Sequence, residues 1–506
     1  MRAMRLQRSA LLCLVAVASL TFAAADAVAQ KYNNRGPTTN IGRGPTPNVG
    51  PSQPRGGYQG GGYRGGWGVV VPGLLMTIPQ TGPSRGDVFI DDGTINEGPR
   101  DRPPQRTSRR GPSGAPPANE RRLVPDEVVI EIANSVSPQT IDTLQRRFRL
   151  ERLEQQSFQL TGTTFYRWRI PDRRSVATVV RTLETDAVVA SAQPNYLFTI
   201  QQNETKTPEP KTEGDPAQYE LAKLRLPQAH ALARGDRILV AVIDSGIDAT
   251  HPELAGAVVQ TYDALETPAA PHKHGTAIAG LIAAHGKLLG SAPRAQILAI
   301  RAFDPRGTSA EGNTFSILKS LDWAAANGAR VINMSFAGPA DPAVHRSLEA
   351  ARKKGIVLVA AAGNAGAKSP PLYPAADANV IAVSATDADD KLFEQSNRGR
   401  HIAIAAPGAQ ILVATTDGGY EVASGTSYSA AEVSGIVALM LERKGDLTPD
   451  KVRAILLATA KDLGPKGHDI MYGAGLADAY AALTTEPAPA LAATPRPIKR
   501  VSTGAR

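Results

Sequence analysis

The C-terminal half of the chain alternates between short apolar runs and stretches whose apolar positions recur at helical spacing. The apolar runs lie at residues 238–243, 296–301, 331–334, 356–362 and 380–384. The helical patterns lie at residues 276–284, 313–326 and 343–354. Strands that are buried on both faces of a parallel sheet have this near-continuous apolar character. The pattern therefore predicts an α/β domain over residues 214–484, with a mostly parallel sheet and helices on both faces.

A second periodic region precedes this domain, over residues 121–201. Its strand patterns lie at residues 126–132, 164–170 and 188–198, and its helical patterns at residues 138–148 and 174–185. This order fits a small α+β module of the ferredoxin-like type with one faint strand, for which residues 150–159 are the candidate. An unrelated α+β domain has the same order of elements, so the order alone does not decide.

The first 29 residues have the pattern of an export signal. Three arginines precede an apolar run at residues 10–25, and Ala27-Val28-Ala29 is a small-residue site suited to signal peptidase. The run is shorter than the roughly 20 residues of a membrane-spanning helix, so we favour cleavage near Gln30 over a membrane anchor. The mature protein is then expected outside the cell, or in the periplasm or cell envelope.

Residues 30–120 are rich in Gly, Pro and Arg and lack apolar periodicity. Such a segment cannot bury enough apolar surface to offset its chain entropy, so we predict disorder. Its Arg-Gly-Gly-Tyr pattern resembles RNA-binding tails, but the export signal favours a solvated spacer or an envelope-contacting tether over nucleic-acid binding. A polar linker at residues 202–213 and a Pro/Ala-rich, disordered tail at residues 485–506 complete the division of the chain.

Composition narrows the chemistry that the mature protein can perform. Cys13 is the only cysteine among 506 residues and lies in the predicted export signal, so the mature chain has neither a disulfide nor a thiol nucleophile. The formal net charge is +9, yet residues 216–484 carry 25 Lys and Arg against 26 Asp and Glu. The basic excess therefore lies in the flanking segments and says little about the α/β domain.

Polar residues with catalytic potential follow the predicted strands and open two of the predicted helices. In an open α/β sheet such groups converge beyond the carboxyl ends of the strands. Each one alone also has an ordinary explanation as a turn or helix-capping residue. The candidates are Asp244, Ser335 and Asn364 at strand ends, and His274 and Ser427 at helix starts.

These residues lie in five motifs that follow one another as in subtilisin-like serine proteases. The motifs are VIDSGID at 242–248 with HPEL at 251–254, HGT at 274–276 with AG at 279–280, NMS at 333–335, AAAGN at 360–364, and GTS at 425–427 with Val433 and Gly435. Together they make residues 214–483 resemble that family. The resemblance implies a subtilisin-like fold and an endopeptidase that hydrolyses proteins or peptides and needs no cofactor for its chemistry.

The resemblance also implies roles for individual residues. Asp244, His274 and Ser427 would form a catalytic triad, in which His274 takes the proton of Ser427 and Asp244 orients the imidazole. Asn364 and the backbone N–H of Ser427 would stabilise the oxyanion. Since the family commonly carries a ferredoxin-like propeptide, residues 121–201 are expected to be an intramolecular chaperone and inhibitor that autoprocessing removes. Structural calcium is common in the family, but its ligands cannot be assigned here.

The expected substrate pocket has two walls, one beginning at Ser335 and one at residues 361–363. Ala337 stands where the family usually has Gly, which should narrow the pocket, and alignment on Tyr373-Pro374 places Leu372 near the floor. The pocket should therefore prefer a small or medium apolar side chain. The candidate substrate-binding residues are Ser335, Phe336, Ala337, Ala361, Ala362, Gly363 and Leu372.

The chain departs from the family after Ser427. Tyr428, Ser429, Ala431 and Glu432 stand where Met, Ala, Pro and His are usual. None of the four would supply a catalytic atom, but a buried Glu432 would need a partner.

Two other functions stay open at this stage. One is a catalytically inactive, envelope-associated binding protein on a protease fold, against which the intact Asp, His, Asn and Ser positions argue. The other is an esterase or another serine hydrolase, which the order of the five motifs disfavours. We expect a monomer whose partners are its substrates and its own propeptide, with no nucleic acid.

Overall fold

The structure is a computed structural model that describes residues 113–200, 218–306 and 309–486. The predicted export signal, most of the Gly/Pro/Arg-rich region, the linker at 202–213 and the tail beyond residue 486 lie outside the described residues. Within the described ranges, no helix combines the length and the apolar character that crossing a membrane requires.

The described residues form sixteen strands and ten α-helices. The strands are β1 Leu123–Ile132, β2 Glu151–Phe158, β3 Thr163–Arg169, β4 Val189–Ile200, β5 Leu239–Asp244, β6 Val258–Asp263, β7 Gln296–Arg301, β8 Asp304–Arg306, β9 Ser309–Asn313, β10 Val331–Met334, β11 Phe336–Ala337, β12 Val357–Ala361, β13 Ile381–Thr386, β14 Ile402–Pro407, β15 Ile411–Ala414 and β16 Tyr420–Ala423. The helices are α1 Pro138–Phe148, α2 Val176–Leu183, α3 Tyr219–Lys223, α4 Leu226–His230, α5 Lys273–Ala283, α6 Thr314–Ala326, α7 Pro342–Lys353, α8 Thr426–Arg443, α9 Pro449–Thr459 and α10 Ala479–Thr484.

The N-terminal domain is an antiparallel sheet, in the order β2-β3-β1-β4, packed against α1 and α2. Helix α1 begins after Ser137, whose hydroxyl accepts the N–H of Thr140, and buries Ile141, Leu144 and Phe148 on one face. The faint strand of the sequence pattern is present as β2. It was faint because β2 lies at the sheet edge and only its last residue, Phe158, is buried.

The large domain contains a seven-stranded parallel sheet in the order β14-β13-β12-β10-β5-β7-β6. Neighbouring residues of β5 point to opposite faces: Val242 packs into the core with α5 and α8, and Ile243 into the core with α6 and α7. The predicted α/β class, with a mostly parallel sheet and helices on both faces, is confirmed.

Strand β4 connects the two domains, because it pairs with β1 along most of its length and its C-terminal end pairs with strands of the large domain. Leu197 pairs with Asn313 of β9, and Ile200 pairs with Phe336 of β11, in both cases antiparallel. Phe198, between them, is fully buried. The C-terminal end of β4 is therefore paired with two strands of the large domain, β9 and β11.

Polar contacts reinforce this junction beside β4. The buried carboxylate of Asp341 accepts hydrogen bonds from Gln193 of β4 at 2.7 Å and from the hydroxyl of Thr314 at 2.6 Å. It also caps α7 by accepting the N–H groups of Ala343 and Val344. A single carboxylate thus joins β4, α6 and α7.

Candidate active site

Asp244 and His274 form a buried hydrogen-bonded pair at the carboxyl edge of the parallel sheet. Asp244 is the last residue of β5, and His274 lies in the first turn of α5, which begins three residues earlier than the sequence pattern indicated. Nδ1 of His274 lies 2.8 Å from Oδ1 and 3.0 Å from Oδ2 of Asp244. Both residues are at most 1% exposed. The carboxylate fixes the proton on Nδ1, so Nε2 is the basic atom of the ring.

Ser427 lies in the first turn of α8, where backbone N–H groups and the helix dipole favour negative charge. Its hydroxyl donates to the carbonyl of Ser335 at 3.1 Å, and the Ser335 hydroxyl lies 3.2 Å from the Ser427 carbonyl. Ser335 follows β10, the direct neighbour of β5. The ring of Tyr428, the next residue, lies 6.1 Å from that of His274, so Ser427 and His274 lie at the same edge of the sheet.

The side-chain amide of Asn364 is oriented by Thr426. Oδ1 of Asn364 accepts from the Thr426 backbone N–H at 3.0 Å and from its hydroxyl at 2.8 Å. The same hydroxyl accepts the N–H of Gly363 at 3.0 Å. Since Oδ1 faces Thr426, the Nδ2 donor is presented on the other side of the amide. The motif at residues 360–364 indicates Asn364, but nothing along the chain indicates that Thr426 orients it.

The expected pocket residues lie in two segments, one at β11 with the residue before it, and one that begins at the last residue of β12. Ala361 and Ala362 are fully buried, and a side chain on Gly363 would press against Leu372. Leu372 is buried and precedes Tyr373, whose backbone exchanges two hydrogen bonds with Gly338 just beyond β11. The structure thus brings Gly363 and Leu372 close together, beside the segment that contains Ala337.

The side chain of Phe336 belongs to a second, aromatic pocket rather than to the Leu372 side. Its ring lies 6.0 Å from that of Phe198 and 4.8 Å from that of Phe303. A side chain on Gly338 would collide with Phe198. The sequence analysis missed Phe303 and Gly338, because neither lies in a motif and only the fold brings them together.

Glu432 is buried, and the charged group that acts on it most is a second acid, Glu220. Glu432 and Glu220 of α3 are both fully buried, at 1% and 0% exposure. Burial, followed by the charge of Glu220, holds the pKa of Glu432 well above its usual range. Burial also raises the pKa of Glu220 to about 7. The pair therefore holds at least one proton at neutral pH.

The other departures from the family pattern are also buried. The Ser429 hydroxyl lies 3.0 Å from the carbonyls of both Ala406 and Pro407, and Tyr428 and Ala431 pack in the core around α8. Across the described part of the chain, no group of three or more His, Cys, Asp or Glu side chains could hold a metal ion. The calcium expectation is therefore still without assigned ligands.

Comparison of the sequence with known proteins shows that this chain is similar to proteases. The model of the subtilase family matches residues 235–475. Thermitase from Thermoactinomyces vulgaris is 34% identical over 274 residues, which cover 53% of this chain and 95% of thermitase. Subtilisin E from Bacillus subtilis (strain 168) is 35% identical over 276 residues, covering 52% of this chain and 70% of that protein.

A solved structure supports the fold. The crystal structure of fervidolysin from Fervidobacterium pennivorans, described as a keratinolytic enzyme related to subtilisin, superposes with a TM-score of 0.60. The match covers 72% of this chain and 62% of fervidolysin, at 24% sequence identity. At that identity the likeness concerns the fold alone.

Proposed function

Because the chain belongs to the subtilase family of serine proteases, we propose that it is an exported serine endopeptidase, made as a zymogen, with Asp244, His274 and Ser427 as its catalytic triad. The observation that carries the proposal is the buried Asp244–His274 pair, 2.8 Å apart, at the sheet edge where α8 begins with Ser427. An inactive binding protein would have no need to keep a buried imidazole oriented by a carboxylate.

The proposed reaction is acyl transfer through Ser427. Nε2 of His274 takes the hydroxyl proton as Oγ attacks the peptide carbonyl, and Asp244 stabilises the imidazolium that forms. The oxyanion accepts hydrogen bonds from Nδ2 of Asn364 and the N–H of Ser427. When the C–N bond breaks, His274 returns the proton to the leaving amine, and water then hydrolyses the acyl-enzyme by the same route.

The proposed resting state holds the hydroxyl of Ser427 on a backbone carbonyl. The Ser427 hydroxyl donates to the Ser335 carbonyl, so it must turn toward Nε2 of His274 before attack. A serine side chain can make such a change by moving between staggered positions, and catalytic hydrogen bonds commonly tighten only when substrate is bound.

The zymogen part of the proposal rests on β4. An extended segment that pairs antiparallel with β9 and β11 is held as a peptide added to a sheet edge would be, and main-chain hydrogen bonds supply affinity in that mode. The N-terminal domain would therefore inhibit the enzyme until it is cut and released. We place the cut between Phe198 and Gly214, where the chain leaves the domain junction for the polar linker. Export rests on the signal-peptide pattern of residues 1–29.

Substitution of Ser427 tests the proposal directly. Ser427→Ala should leave an uncut precursor without labelling by a serine-directed phosphonate, whereas Ser429→Ala, on the same helix, should still process and label. Proteolysis of a peptide substrate should fall about 10⁶-fold, as it does when the nucleophile of a related subtilisin is removed. If Ser427→Ala releases its own N-terminal segment without added protease, Ser427 is not the nucleophile.

A further inference from the structure

A second imidazole lies beside the proposed triad and is connected to it. Nδ1 of His272 is 2.8 Å from the hydroxyl oxygen of Ser245, and that oxygen is 2.9 Å from Oδ1 of Asp244. Oδ1 is also the atom that lies 2.8 Å from Nδ1 of His274. A continuous chain of side chains therefore runs from one histidine through Ser245 and Asp244 to the other.

Ser245 has a single hydroxyl proton, so its hydroxyl can donate either to His272 or to Asp244, and this choice determines which groups are donors along the series. If the hydroxyl pointed to His272, its oxygen lone pairs would face the buried Asp244 carboxylate at 2.9 Å, which is repulsive. If it points to Asp244, the hydroxyl oxygen needs a donor, and Nδ1–H of His272 supplies one at 2.8 Å. The second arrangement satisfies both the Ser245 hydroxyl and the Asp244 carboxylate, so it is favoured.

One longer contact would instead favour an unprotonated Nδ1 on His272. The backbone N–H of His274 approaches Nδ1 of His272 at 3.4 Å, which is longer than the usual range of about 2.7–3.2 Å. The Ser245 contact is shorter by a wide margin, so it determines which nitrogen of His272 carries the proton.

From this geometry we infer that His272 is a positioning residue for the reaction: its Nδ1–H holds the Ser245 hydroxyl, which in turn fixes the Asp244 carboxylate against His274. The inference rests on the proposed function, in which Asp244 orients the catalytic imidazole. Oδ1 of Asp244 then accepts the N–H and the hydroxyl of Ser245 as well as Nδ1–H of His274. Hydrogen bonds in such a series strengthen one another.

The surroundings keep His272 in the neutral form that this chain requires at pH 7. Burial lowers the pKa of His272, the Asp244 carboxylate acts in the opposite direction, and His274 and Lys273 add to the lowering. Arg301 lies against the same turn at Gly246, and its guanidinium is paired with Asp263 and Asp304. A neutral imidazole has one N–H, and the Ser245 contact places it on Nδ1.

Two substitutions of similar size at position 272 distinguish the effect of a hydrogen-bond donor from the effect of side-chain volume. His272→Asn places an amide N–H near the position of Nδ1, whereas His272→Leu offers no donor. We expect His272→Leu to lower kcat about tenfold with KM changed less than twofold, and His272→Asn to stay within threefold of the wild type. The low-field proton resonance of the His274 Nδ1–H should shift in the leucine variant and return toward its original position in the asparagine variant.

A double-mutant cycle tests whether His272 acts through Ser245. Ser245→Ala should lower kcat by a similar factor, and adding His272→Leu to it should cost nothing further, because the chain is already broken. Additive losses, an effect on KM alone, or equal kcat in the two His272 variants would overturn the inference. If His272→Leu is not recovered folded, Ser245→Ala still decides, since a wild-type kcat there is incompatible with the chain.

Active-site labelling separates this inference from the proposed function. Each kcat is divided by the concentration of Ser427 that reacts with a phosphonate, so only folded, competent molecules are counted. If the wild type neither labels nor cleaves, the proposed function fails. If the wild type labels and cleaves but the His272 variants behave as the wild type, only the positioning role fails.

Discussion

The ring of Phe198 meets the ring of Phe336 edge-on, with 6.0 Å between the centroids and an interplanar angle of 86°. Phe198 comes from the N-terminal domain and Phe336 from β11 of the large domain. Gly338 makes room for this contact, because a side chain there would collide with Phe198. The aromatic pocket is therefore filled by the chain itself, beside the proposed active site.

Removal of this ring should weaken inhibition by the N-terminal domain. Burial of a phenylalanine side chain is worth about 3 kcal/mol or more, so Phe198→Ala should raise the inhibition constant of the cut, bound N-terminal domain by roughly 10²-fold. Thr182→Ala, on the exposed face of α2, should leave it unchanged. Progress curves of peptide hydrolysis during domain release measure the constant. Equal inhibition by both variants would show that the Phe198 pocket is not used.

Loss of the Asn364 amide should affect turnover more than binding. Asn364→Leu keeps the size of the side chain but removes the Nδ2 donor proposed for the oxyanion. We expect kcat to fall by about 10² to 10³ with little change in KM, the loss known for an equivalent asparagine in a related subtilisin. The steady-state kinetics of the mature enzyme measure both constants. A change confined to KM would place Asn364 in substrate binding instead.

The sequence predicted the central strands well because buried parallel strands are continuous apolar runs. β7 begins and ends at the predicted residues, 296 and 301, and β10 at 331 and 334. It predicted the edge strand β2 poorly, since seven of its eight residues are not buried. Such a strand is defined by pairing with β3, which one sequence does not display.

The proposed catalytic residues could be predicted from sequence motifs, but the residues that contact and orient them could not. Asp244, His274, Asn364 and Ser427 lie in motifs, and a motif is visible along the chain. Contacts across the fold are not visible in this way. The link from His272 through Ser245, and the burial of Glu220 beside Glu432, depend on distances that only the folded chain defines.

The buried acid pair should make stability depend on pH. The pKa of Glu220 is raised to about 7 in the folded chain and is about 4.5 when unfolded, so the folded state binds more protons between these values. Stability from this group is therefore fully present below pH 4.5 and is lost as pH rises toward 7, by about 3 kcal/mol in all.

Glu220→Gln should remove that loss while keeping the acceptor that lies 3.2 Å from Gln218. We expect the variant to be more stable than the wild type at pH 8 and nearly equal at pH 5, with Glu394→Gln as an exposed control. Denaturant unfolding of the mature, phosphonate-inhibited enzyme at both pH values measures the difference. A gain of the same size at pH 5 and pH 8 would exclude titration of Glu220 as its cause.

A second buried acid, Glu253, should stabilise the large domain, because its carboxylate accepts hydrogen bonds from several buried donors. The carboxylate of Glu253 receives the backbone N–H groups of Gly286, Lys287 and Leu288 at 2.9–3.0 Å and the hydroxyl of Tyr420 at 2.7 Å. Glu253→Ala would leave several buried donors unsatisfied, which costs about 3 kcal/mol, or roughly 10 °C in Tm. In thermal unfolding, the Tm of Glu253→Gln should lie between those of the wild type and Glu253→Ala. An unchanged Tm in Glu253→Ala would contradict this role.

The mature enzyme should cleave after small or medium apolar residues such as Ala, Leu or Met. Leu372 is buried close to Gly363 and carries no charge, and its neighbour Tyr373 pairs with Gly338, the residue after Ala337. A charged side chain entering there would be unpaired and would lose several kcal/mol of solvation, whereas each buried methylene contributes about 0.8 kcal/mol, or about fourfold in kcat/KM. A peptide library profiled on the wild type and on Ala337→Gly measures the preference. The glycine variant should extend it to Phe and Tyr, because the pocket is then wider. Dominant cleavage after Arg, Lys or Glu would refute the apolar pocket.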